Sequence, residues 1–404
     1  HLYDLVVLLA ARGIEYRRDK RAGRPVVLLG GMLPSYNPAP ARDIADAMCI
    51  GDGEEAGPAG LRLLLEGAPP ADLADVPGWY VSALDNQATH QHVEDITGTL
   101  KHPFYNRMRQ DETGSGVRRE RVLERRVEIA RGCRAKCLYC GISWMKKLRE
   151  NDPAAIVEIV QTEPGAVKAF APDPQGHSAW ATIARAYDEA GKTNQARDLS
   201  TRVMRKQGFG KSRVYSSGID GLSERIRPAM AKPLSRAALV ETIERANGHM
   251  GSLGVYLILD VPGETERDYE EWFDSLAAAR LVPSRVVPKE HLARGFSAER
   301  FYVIVTLNAF SPAPHTPLQW AGVDLTAHLT ERYISFVDRL GPKEDRPLKH
   351  KLLGRAHGPV SRLLESAALR GGPELAPFIW TVASTRKRYS GDVGLAALWR
   401  TART

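Results

Sequence analysis

Three cysteines within eight positions constrain this chain more than any other feature. Cys133, Cys137 and Cys140 follow a short apolar run that ends at Ala130 and is typical of a buried strand, after which the chain turns into a loop. Thiolates at this spacing can converge on one soft metal centre, and thiolate is the ligand that iron–sulfur clusters require. Three protein ligands for a four-iron cluster would leave one iron open to another molecule.

Two other interpretations of these cysteines remain open. A structural zinc site would need a fourth ligand nearby, yet His102, His177 and Cys49 all lie far away in the sequence. The last two cysteines also form a Cys-x-x-Cys pair, which is typical of thiol redox chemistry but does not explain the first cysteine.

Length and composition limit the class of protein. A chain of 404 residues is long enough for about two or three domains, and 43% hydrophobic with 26% charged residues is typical of a globular protein. Four cysteines exclude a disulfide framework and predict a reducing, cytoplasmic location. The apolar stretch 5–11 is too short to span a membrane. Because the chain starts at His1 rather than Met, we expect that upstream residues have been removed.

The cysteine loop resembles the signature of the radical SAM superfamily, in which an aromatic residue, here Tyr139, stands just before the last cysteine. The resemblance implies a [4Fe-4S] cluster on Cys133, Cys137 and Cys140 and places Tyr139 beside S-adenosylmethionine (SAM). It also implies that one electron from the cluster cleaves SAM to a 5′-deoxyadenosyl radical, and that a donor such as flavodoxin or ferredoxin supplies this electron.

Six apolar segments alternate with helical patterns after residue 122, and they predict parallel strands near 127–130, 166–170, 213–220, 253–260, 284–287 and 301–308. Together they predict a partial (β/α)6 radical SAM barrel, with the catalytic face at the carboxyl ends of the strands. We divide the chain into a domain at 1–82, a polar linker at 83–122, the barrel at 123–322 and a mainly helical, basic C-terminal region at 323–404.

The resemblance assigns SAM contacts to residues at these strand ends. Asp173 stands where the family commonly has a Gly-Glu element for the SAM amino group. Ser217, Asp220 and Arg227 match a stretch that meets the ribose and carboxylate of SAM, and Pro262 lies in a Pro-Gly-Glu-Thr turn that faces adenine. Glu264 of that turn would equally serve as a first-turn carboxylate that stabilises a helix N-terminus, and both roles are compatible.

The N-terminal segment alternates strands and helices, which predicts a small doubly wound α/β unit. It resembles the C-terminal half of a cobalamin-binding domain of the kind fused to radical SAM barrels, through 28–31, 36–38 and 50–55. The Asp-x-His-x-x-Gly loop, whose histidine ligates cobalt in many such domains, is absent from the sequence. We therefore expect either that the domain has lost cobalamin or that it continues upstream. Residues 310–320, Phe-Ser-Pro-Ala-Pro-His-Thr-Pro-Leu-Gln-Trp, resemble a segment of the same proteins, and their prolines predict a rigid loop over the open end of the barrel.

The formal charge of +8 and pI near 9.3 favour a polyanionic partner, and we interpret it as nucleic acid, DNA rather than RNA. The predicted function is a transferase or isomerase reaction on a nucleic-acid base, such as a hypermodified DNA base flipped into the barrel. Tyr105, Phe209 and Tyr389 are possible stacking groups among the basic segments. The candidate contacts are Arg118, Arg119, Lys206, Lys211, His315, Arg386, Lys387 and Arg388.

Two alternative functions remain from the sequence. One is a cobalamin-dependent radical SAM methyltransferase that acts on a small molecule. The other is a non-enzymatic nucleic-acid-binding protein with a structural metal. The sequence does not favour methylthiotransferase chemistry, which needs a second cluster with three further cysteines, because only Cys49 remains.

Overall fold

A computed structural model describes residues 2–21, 25–101, 104–109, 121–192, 214–249, 252–279, 286–288, 302–323, 359–388 and the single positions 332, 335, 336 and 339. Helices and strands alternate along these residues, which confirms the predicted mixed α/β class. The chain divides into two compact units. The first combines His1–Glu94, Ser311–Trp320 and Leu353–Thr404, and the second combines Asp95–Phe310 and Ala321–Leu352.

The first unit begins with short helices and a three-stranded sheet. Its strands lie in the order β1-β2-β3, with β1 and β2 parallel and β3 antiparallel to β2. The glycine Gly60 allows the third helix to pack on Trp79, because a Cβ there would lie 2.5 Å from the indole Nε1. The elements are α1 (Leu2–Ala11), β1 (Leu28–Leu29), α2 (Met32–Tyr36), β2 (Ala47–Cys49), α3 (Ala56–Leu65) and β3 (Trp79–Val81).

The second unit carries the longer strands and their connecting helices. In chain order its elements are α4 (Gly98–Lys101), β4 (Phe104–Arg109), β5 (Arg121–Glu128), β6 (Ala130–Arg131), α5 (Ile142–Met145), β7 (Arg149–Glu150), α6 (Pro153–Thr162), β8 (Ala166–Phe170), α7 (Trp180–Glu189), β9 (Val214–Asp220), α8 (Ile226–Ala229), α9 (Arg236–His249), β10 (Ser252–Leu259), α10 (Glu266–Ala278), β11 (Val286–Pro288) and β12 (Tyr302–Ala309).

Two sheets of this unit contain parallel strands. One has the order β4-β5-β8, with β5 parallel to β8, and the other has the order β11-β12-β10-β9 with every pair parallel. Five of the six predicted parallel strands lie close to their predicted positions, and the sixth, predicted at 284–287, is the short strand β11. It lies at an edge beyond β12, where Pro288, which lacks a backbone N–H, is tolerated. No pairing joins β8 to β9 among the described residues, so the closed six-strand barrel stays a prediction.

Apolar alternation explains how these strands pack. Leu253, Val255 and Leu257 of β10 are fully buried and share one core with Trp272 of α10 and Ile243 of α9. A separate core holds β5 and β8 against α6 and α7. In both cores, helices pack on the strands. This packing holds the strands in place, and with them the strand ends that carry the candidate site.

The segment predicted as a linker contains regular structure. Helix α4 and strand β4 fall within 83–122, and β4 pairs antiparallel with β5, with Phe104 opposite Arg126. Strand β4 thus covers an edge of β5 that would otherwise expose unpaired backbone groups.

Two helices near the C-terminus belong to the first unit rather than to a separate region, which corrects the predicted division. These are α11 (Pro359–Arg370) and α12 (Ala376–Arg388), and they share a core with α1. The Tyr3 hydroxyl donates a hydrogen bond to the Leu364 carbonyl at 2.9 Å. Helices α11 and α12 pack on α1 because the short sheet alone does not cover the apolar face of α1. In the described part of the chain, no helix is both long and apolar enough to cross a membrane.

Candidate metal centre and cofactor site

The cysteine loop starts directly after β6 and is shaped by its backbone. Gly132 has a φ of +83°, and a Cβ there would lie 2.5 Å from the Lys147 carbonyl oxygen, so only glycine is accommodated. Lys136 also has a positive φ, +53°. The Cys140 amide and the Trp144 indole both donate to the Cys137 carbonyl, at 3.2 and 2.9 Å. These contacts fold the loop back on itself between the first and last cysteine.

The three thiols lie on one loop, and the electrostatic surroundings of two of them shift their pKa. Burial raises the pKa of Cys137 to about 11, the charge of Lys232 opposes this rise, and the charges of Asp220, Cys140 and Cys133 add to it. Burial likewise raises the pKa of Cys140. The low-dielectric surroundings therefore favour neutral thiols until a cation or a metal compensates their charge.

The chemistry of these side chains fits an iron–sulfur cluster, because one loop offers three thiols and iron–sulfur clusters are held by cysteine thiolates. Within the described residues, no group of three or more His, Cys, Asp or Glu side chains is arranged to hold a metal ion. His177 is one of the candidates for a fourth zinc ligand. Its Nε2 instead lies 3.1 Å from the Asn151 carbonyl oxygen, within hydrogen-bond distance.

A buried network connects the cysteine loop to the end of β9. The Tyr139 hydroxyl donates to Asp220 Oδ2 at 2.6 Å, and the Lys232 ammonium lies 2.9 Å from the same oxygen. Lys232 also donates to the Gly218 carbonyl at 3.1 Å. Asp220 has a φ of +64°, so its backbone leaves the strand in a left-handed conformation. The predicted SAM residues Tyr139 and Asp220 are thus brought together directly.

Ser217 and Arg227 differ in whether their polar atoms already have hydrogen-bond partners within the protein. Ser217 is fully buried, and its hydroxyl has no hydrogen-bond partner among the described residues. Arg227 is also fully buried, but its guanidinium donates to the carbonyls of Leu234 and Leu222, at 2.7 and 3.3 Å, and lies 3.5 Å from Glu271. Its described contacts are all with the protein, which gives Arg227 a structural role; the predicted contact with SAM stays a prediction.

The turn after β10 lies beside this network. Leu257 of β10 pairs with Asp220 of β9, so the turn that carries Pro262 follows at the same end of the sheet. Pro262 is exposed, between Asp260 with a φ of +58° and Gly263 with a φ of +81°. The predicted adenine-facing turn therefore has the left-handed backbone positions that a tight turn requires.

Glu264 is held at the base of this turn. Its Oε2 accepts the Asp260 amide at 2.6 Å and the Tyr269 hydroxyl at 3.0 Å, while Oε1 is buried without a hydrogen-bond partner among the described residues. Burial raises the pKa of Glu264 to about 8. The first-turn carboxylate of α10 is instead Asp268, which accepts the Thr265 amide at 2.7 Å as part of a capping box.

Asp173 lies in the loop after β8, just before a short 3-10 helix at Pro174–Gly176. Because β5 and β8 are parallel, this loop and the cysteine loop follow neighbouring strand ends of one sheet. The predicted contact between Asp173 and the SAM amino group stays a prediction.

Half of the eight candidate nucleic-acid contacts, and two of the three stacking candidates, lie outside the described residues. These are Arg118, Arg119, Lys206 and Lys211, together with the stacking candidates Phe209 and Tyr389. Arg386, Lys387 and Arg388 end helix α12, and they belong to the first unit rather than to the unit with the cysteine loop. Tyr105 is described and exposed, with its hydroxyl 3.3 Å from Glu163 Oε2.

The proline-rich segment also belongs to the first unit, and its position over the barrel stays a prediction. His315 is exposed, and its Nε2 lies 3.0 Å from the Tyr36 carbonyl oxygen. Two segments that resemble cobalamin-domain-associated proteins, 310–320 and 36–38, therefore meet within one unit.

The glycine loop of the first unit is closed by its own chain. A Cβ on Gly51 would lie 2.3 Å from the Gln91 carbonyl oxygen, the Asp52 amide donates to that oxygen at 3.0 Å, and the Val93 amide donates to Asp52 Oδ2 at 3.2 Å. The described partners of this loop are therefore residues of its own chain. Cobalamin enters no step of the function proposed below.

Comparisons with known proteins agree with the predicted family. Residues 1–70 match the family model described as "Radical SAM proteins, N-terminal". This match covers the first 70 of the 404 residues. No curated protein matches its sequence.

Two solved structures are similar to this chain, and both are of OxsB, a cobalamin-dependent S-adenosylmethionine radical enzyme. The form with aqua-cobalamin and S-adenosylmethionine has 13% identity and a TM-score of 0.42, and the match covers 62% of this chain and 39% of that one. The form with aqua-cobalamin has the same identity and TM-score, with 68% and 41% covered. This chain therefore spans about two fifths of the length of the structures it matches.

Lys232 is the residue that the sequence analysis missed. It follows the third predicted strand in the segment Met230-Ala231-Lys232, to which no role was assigned. A lysine in a short loop is ordinarily exposed, whereas the side chain of Lys232 is only 16% exposed. No local pattern signals that burial, because the partner oxygen is 12 residues earlier and the tyrosine that shares it lies in another loop.

Proposed function

We propose that this radical SAM protein binds a [4Fe-4S] cluster through Cys133, Cys137 and Cys140, cleaves SAM reductively, and acts on a nucleic-acid base by transfer or rearrangement. The observation that supports this most is the hydrogen bond from Tyr139 to Asp220. It connects the cysteine loop to the strand end that the family resemblance assigns to SAM.

The cysteine loop supplies three thiolates and leaves one iron for SAM. When bound, the cluster supplies the electron that cleaves SAM to methionine and a 5′-deoxyadenosyl radical. Burial of Cys137 keeps water from the ligands, and the Trp144 and Cys140 donors hold the Cys137 carbonyl in place. The chain therefore positions and shields a reactive cofactor rather than performing the bond cleavage with its own side chains.

The end of β9 provides polar groups that suit SAM. The Ser217 hydroxyl is buried and unpartnered among the described residues, and such a group is costly unless a ligand or water satisfies it. Pro262 is exposed at the adjacent strand end, in position to face a planar base. Asp220 is already bonded to Tyr139 and Lys232, so its proposed contact with the ribose would use its second oxygen.

Charge supports the choice of substrate. A net charge of +8 attracts polyanions, and phosphate contacts would make binding depend strongly on salt. A target base in a duplex would have to leave the stack before a radical generated inside the protein could reach it. The electron donor is proposed to be a small one-electron carrier such as flavodoxin or ferredoxin.

The test is anaerobic reconstitution with iron and sulfide, followed by reductive SAM cleavage with DNA, with heparin and without either. We expect 5′-deoxyadenosine formation that DNA stimulates and that heparin, an equally anionic polymer without bases, does not. The stimulation should weaken as salt rises.

Two results would change the proposal. Cleavage that is indifferent to DNA would move the substrate to a small molecule. A protein that carries its full complement of iron and sulfide but forms no 5′-deoxyadenosine would refute radical SAM chemistry for this chain and favour a binding protein with a structural cluster.

A further inference from the structure

We infer that Lys232 is a positioning residue for the cluster, whose fixed positive charge stabilises the reduced state and raises the reduction potential. This inference rests on the proposed function, because it needs a cluster on the cysteine loop. It goes beyond that function in assigning the electrostatic control of the cluster to a residue outside the cysteine loop.

The ammonium group of Lys232 is fixed in place by two acceptors. It lies 2.9 Å from Asp220 Oδ2 and donates to the Gly218 carbonyl at 3.1 Å. The space around it is tight, since a Cβ on Gly218 would lie 3.4 Å from Lys232 Nζ. The side chains of Lys232 and Asp220 are 16% and 8% exposed, so water screens this charge only weakly.

The backbone on both sides of Lys232 is tied to the cysteine loop. The Leu138 amide, between two of the cysteines, donates to the Met230 carbonyl at 3.3 Å. Ala231, the next residue, has a φ of +58°, which turns the chain so that Lys232 follows. Tyr139 reaches Asp220 from the same loop. The cation therefore stays in one place relative to the thiols, and it acts electrostatically on Cys137 and Cys140.

Asp220 does not cancel this charge completely. Its carboxylate is shared between the Lys232 ammonium and the Tyr139 hydroxyl, which is a neutral donor. A reduced cluster carries one more negative charge than an oxidised one, so a nearby cation favours reduction. Removing the cation while keeping the shape of the side chain should make the cluster harder to reduce.

The experiment compares the wild type with Lys232→Gln, Lys232→Arg and Lys168→Gln, each reconstituted anaerobically and titrated electrochemically with electron paramagnetic resonance as the readout. Lys168 is half-buried on β8 of the same unit and is not among the charges that act most strongly on Cys137, so its variant makes the same change of charge elsewhere. We expect Lys232→Gln to lower the equilibrium constant for reduction about tenfold, a shift of ~59 mV for one electron. Lys232→Arg and Lys168→Gln should stay near the wild type.

The outcomes separate this inference from the proposed function. A wild type that binds no cluster would sink both. A wild type with a cluster and an unchanged potential in Lys232→Gln would overturn the role of Lys232 alone. If Lys232→Gln binds no iron, the iron content of Lys232→Arg decides between charge and shape. Iron binding by Lys232→Arg would support the role of the positive charge. A folded Lys232→Arg protein without iron would overturn that role, because it would show that only the shape of lysine matters.

Discussion

Two loops of this molecule follow short buried strands, and they are closed in opposite ways. The glycine loop after β2 is closed by backbone pairing, with Gly51 and Asp52 bonded to the segment around Gln91. The cysteine loop after β6 is held by side chains, through Tyr139, Asp220 and Lys232. In the first loop, backbone atoms occupy the space that a ligand would need. In the second loop, side-chain contacts fix the position of the loop and leave polar groups available to a ligand. The first arrangement suits structure, and the second suits a cofactor site.

The largest expected effect separates the cysteines of the two loops. Cys137→Ala removes a proposed cluster ligand, and we expect no detectable iron–sulfur absorbance and no reductive SAM cleavage. Cys49→Ala, in β2 of the first unit, removes only a buried thiol at a cost of about 1 kcal/mol and should keep both. Iron content and 5′-deoxyadenosine are measured on both variants. Loss of the cluster in Cys49→Ala would break the distinction between the loops.

Gly51→Ala tests the closure of the glycine loop. The new Cβ would lie 2.3 Å from the Gln91 carbonyl oxygen at a φ of +96°, so we expect strain and overpacking to cost about 3 kcal/mol. Gly31→Ala is the control, because its φ is +85° with nothing within 4 Å of the Cβ, and it should cost about 1 kcal/mol. Denaturant unfolding measures both. Equal costs would mean that the backbone pairing does not close the loop tightly.

The second unit should also be sensitive to pH in a way that the backbone-closed loop is not. Burial raises the pKa of Glu264 from 4.5 to about 8. Because the folded-state pKa lies above the unfolded value, the protonated carboxyl stabilises the fold fully below pH 4.5, and this contribution is lost as the pH rises toward 8. Between pH 5 and pH 7 the loss is about 2.5 kcal/mol.

Glu264→Gln should remove this slope, since a neutral amide replaces the carboxyl in the same place. Urea unfolding at several pH values compares it with the wild type. An unchanged slope in the variant would assign the pH dependence to other groups and would place Glu264 in a more polar setting than the structure shows.

The smallest expected effect concerns a single hydrogen bond of the glycine loop. The Ser35 hydroxyl accepts the Gly51 amide at 2.9 Å and donates to the Gly31 carbonyl at 2.7 Å. Ser35→Ala leaves that buried amide without its acceptor and should cost about 1–2 kcal/mol. Ser82→Ala is the matched control, because the buried Ser82 hydroxyl has no hydrogen-bond partner among the described residues, and its loss should be nearly neutral. Thermal unfolding that ranks the two variants in the other order would contradict this account.

Several elements could be predicted from sequence because their signals are local. The apolar runs 253–260 and 301–308 predict strands, and the structure has strands at Ser252–Leu259 and Tyr302–Ala309. The glycine and the three cysteines after a short apolar run predict a loop, and Gly132 turns the chain into one with a φ of +83°. Each of these features depends on residues within a few positions of one another.

The sequence did not indicate contacts between distant residues. Arg227 is buried, and its guanidinium donates to the carbonyls of Leu234 and Leu222, which the sequence did not predict. The contact between His315 and the Tyr36 carbonyl joins residues 279 positions apart, and no local pattern indicates it. Exposed and buried polar residues look alike in a sequence, since burial is decided by what packs over them.

By itself the sequence determined the alternation of strands and helices and the cysteine loop, because periodicity and short spacings are carried by neighbouring residues. The tertiary structure decided which loop is closed by backbone pairing, and that α1 packs on helices more than 350 positions away, as the bond from Tyr3 to Leu364 shows. It also decided that Lys232 pairs with Asp220, 12 residues earlier in the chain. These contacts follow from how apolar faces and buried charges find partners across the whole chain, and no local pattern records that choice.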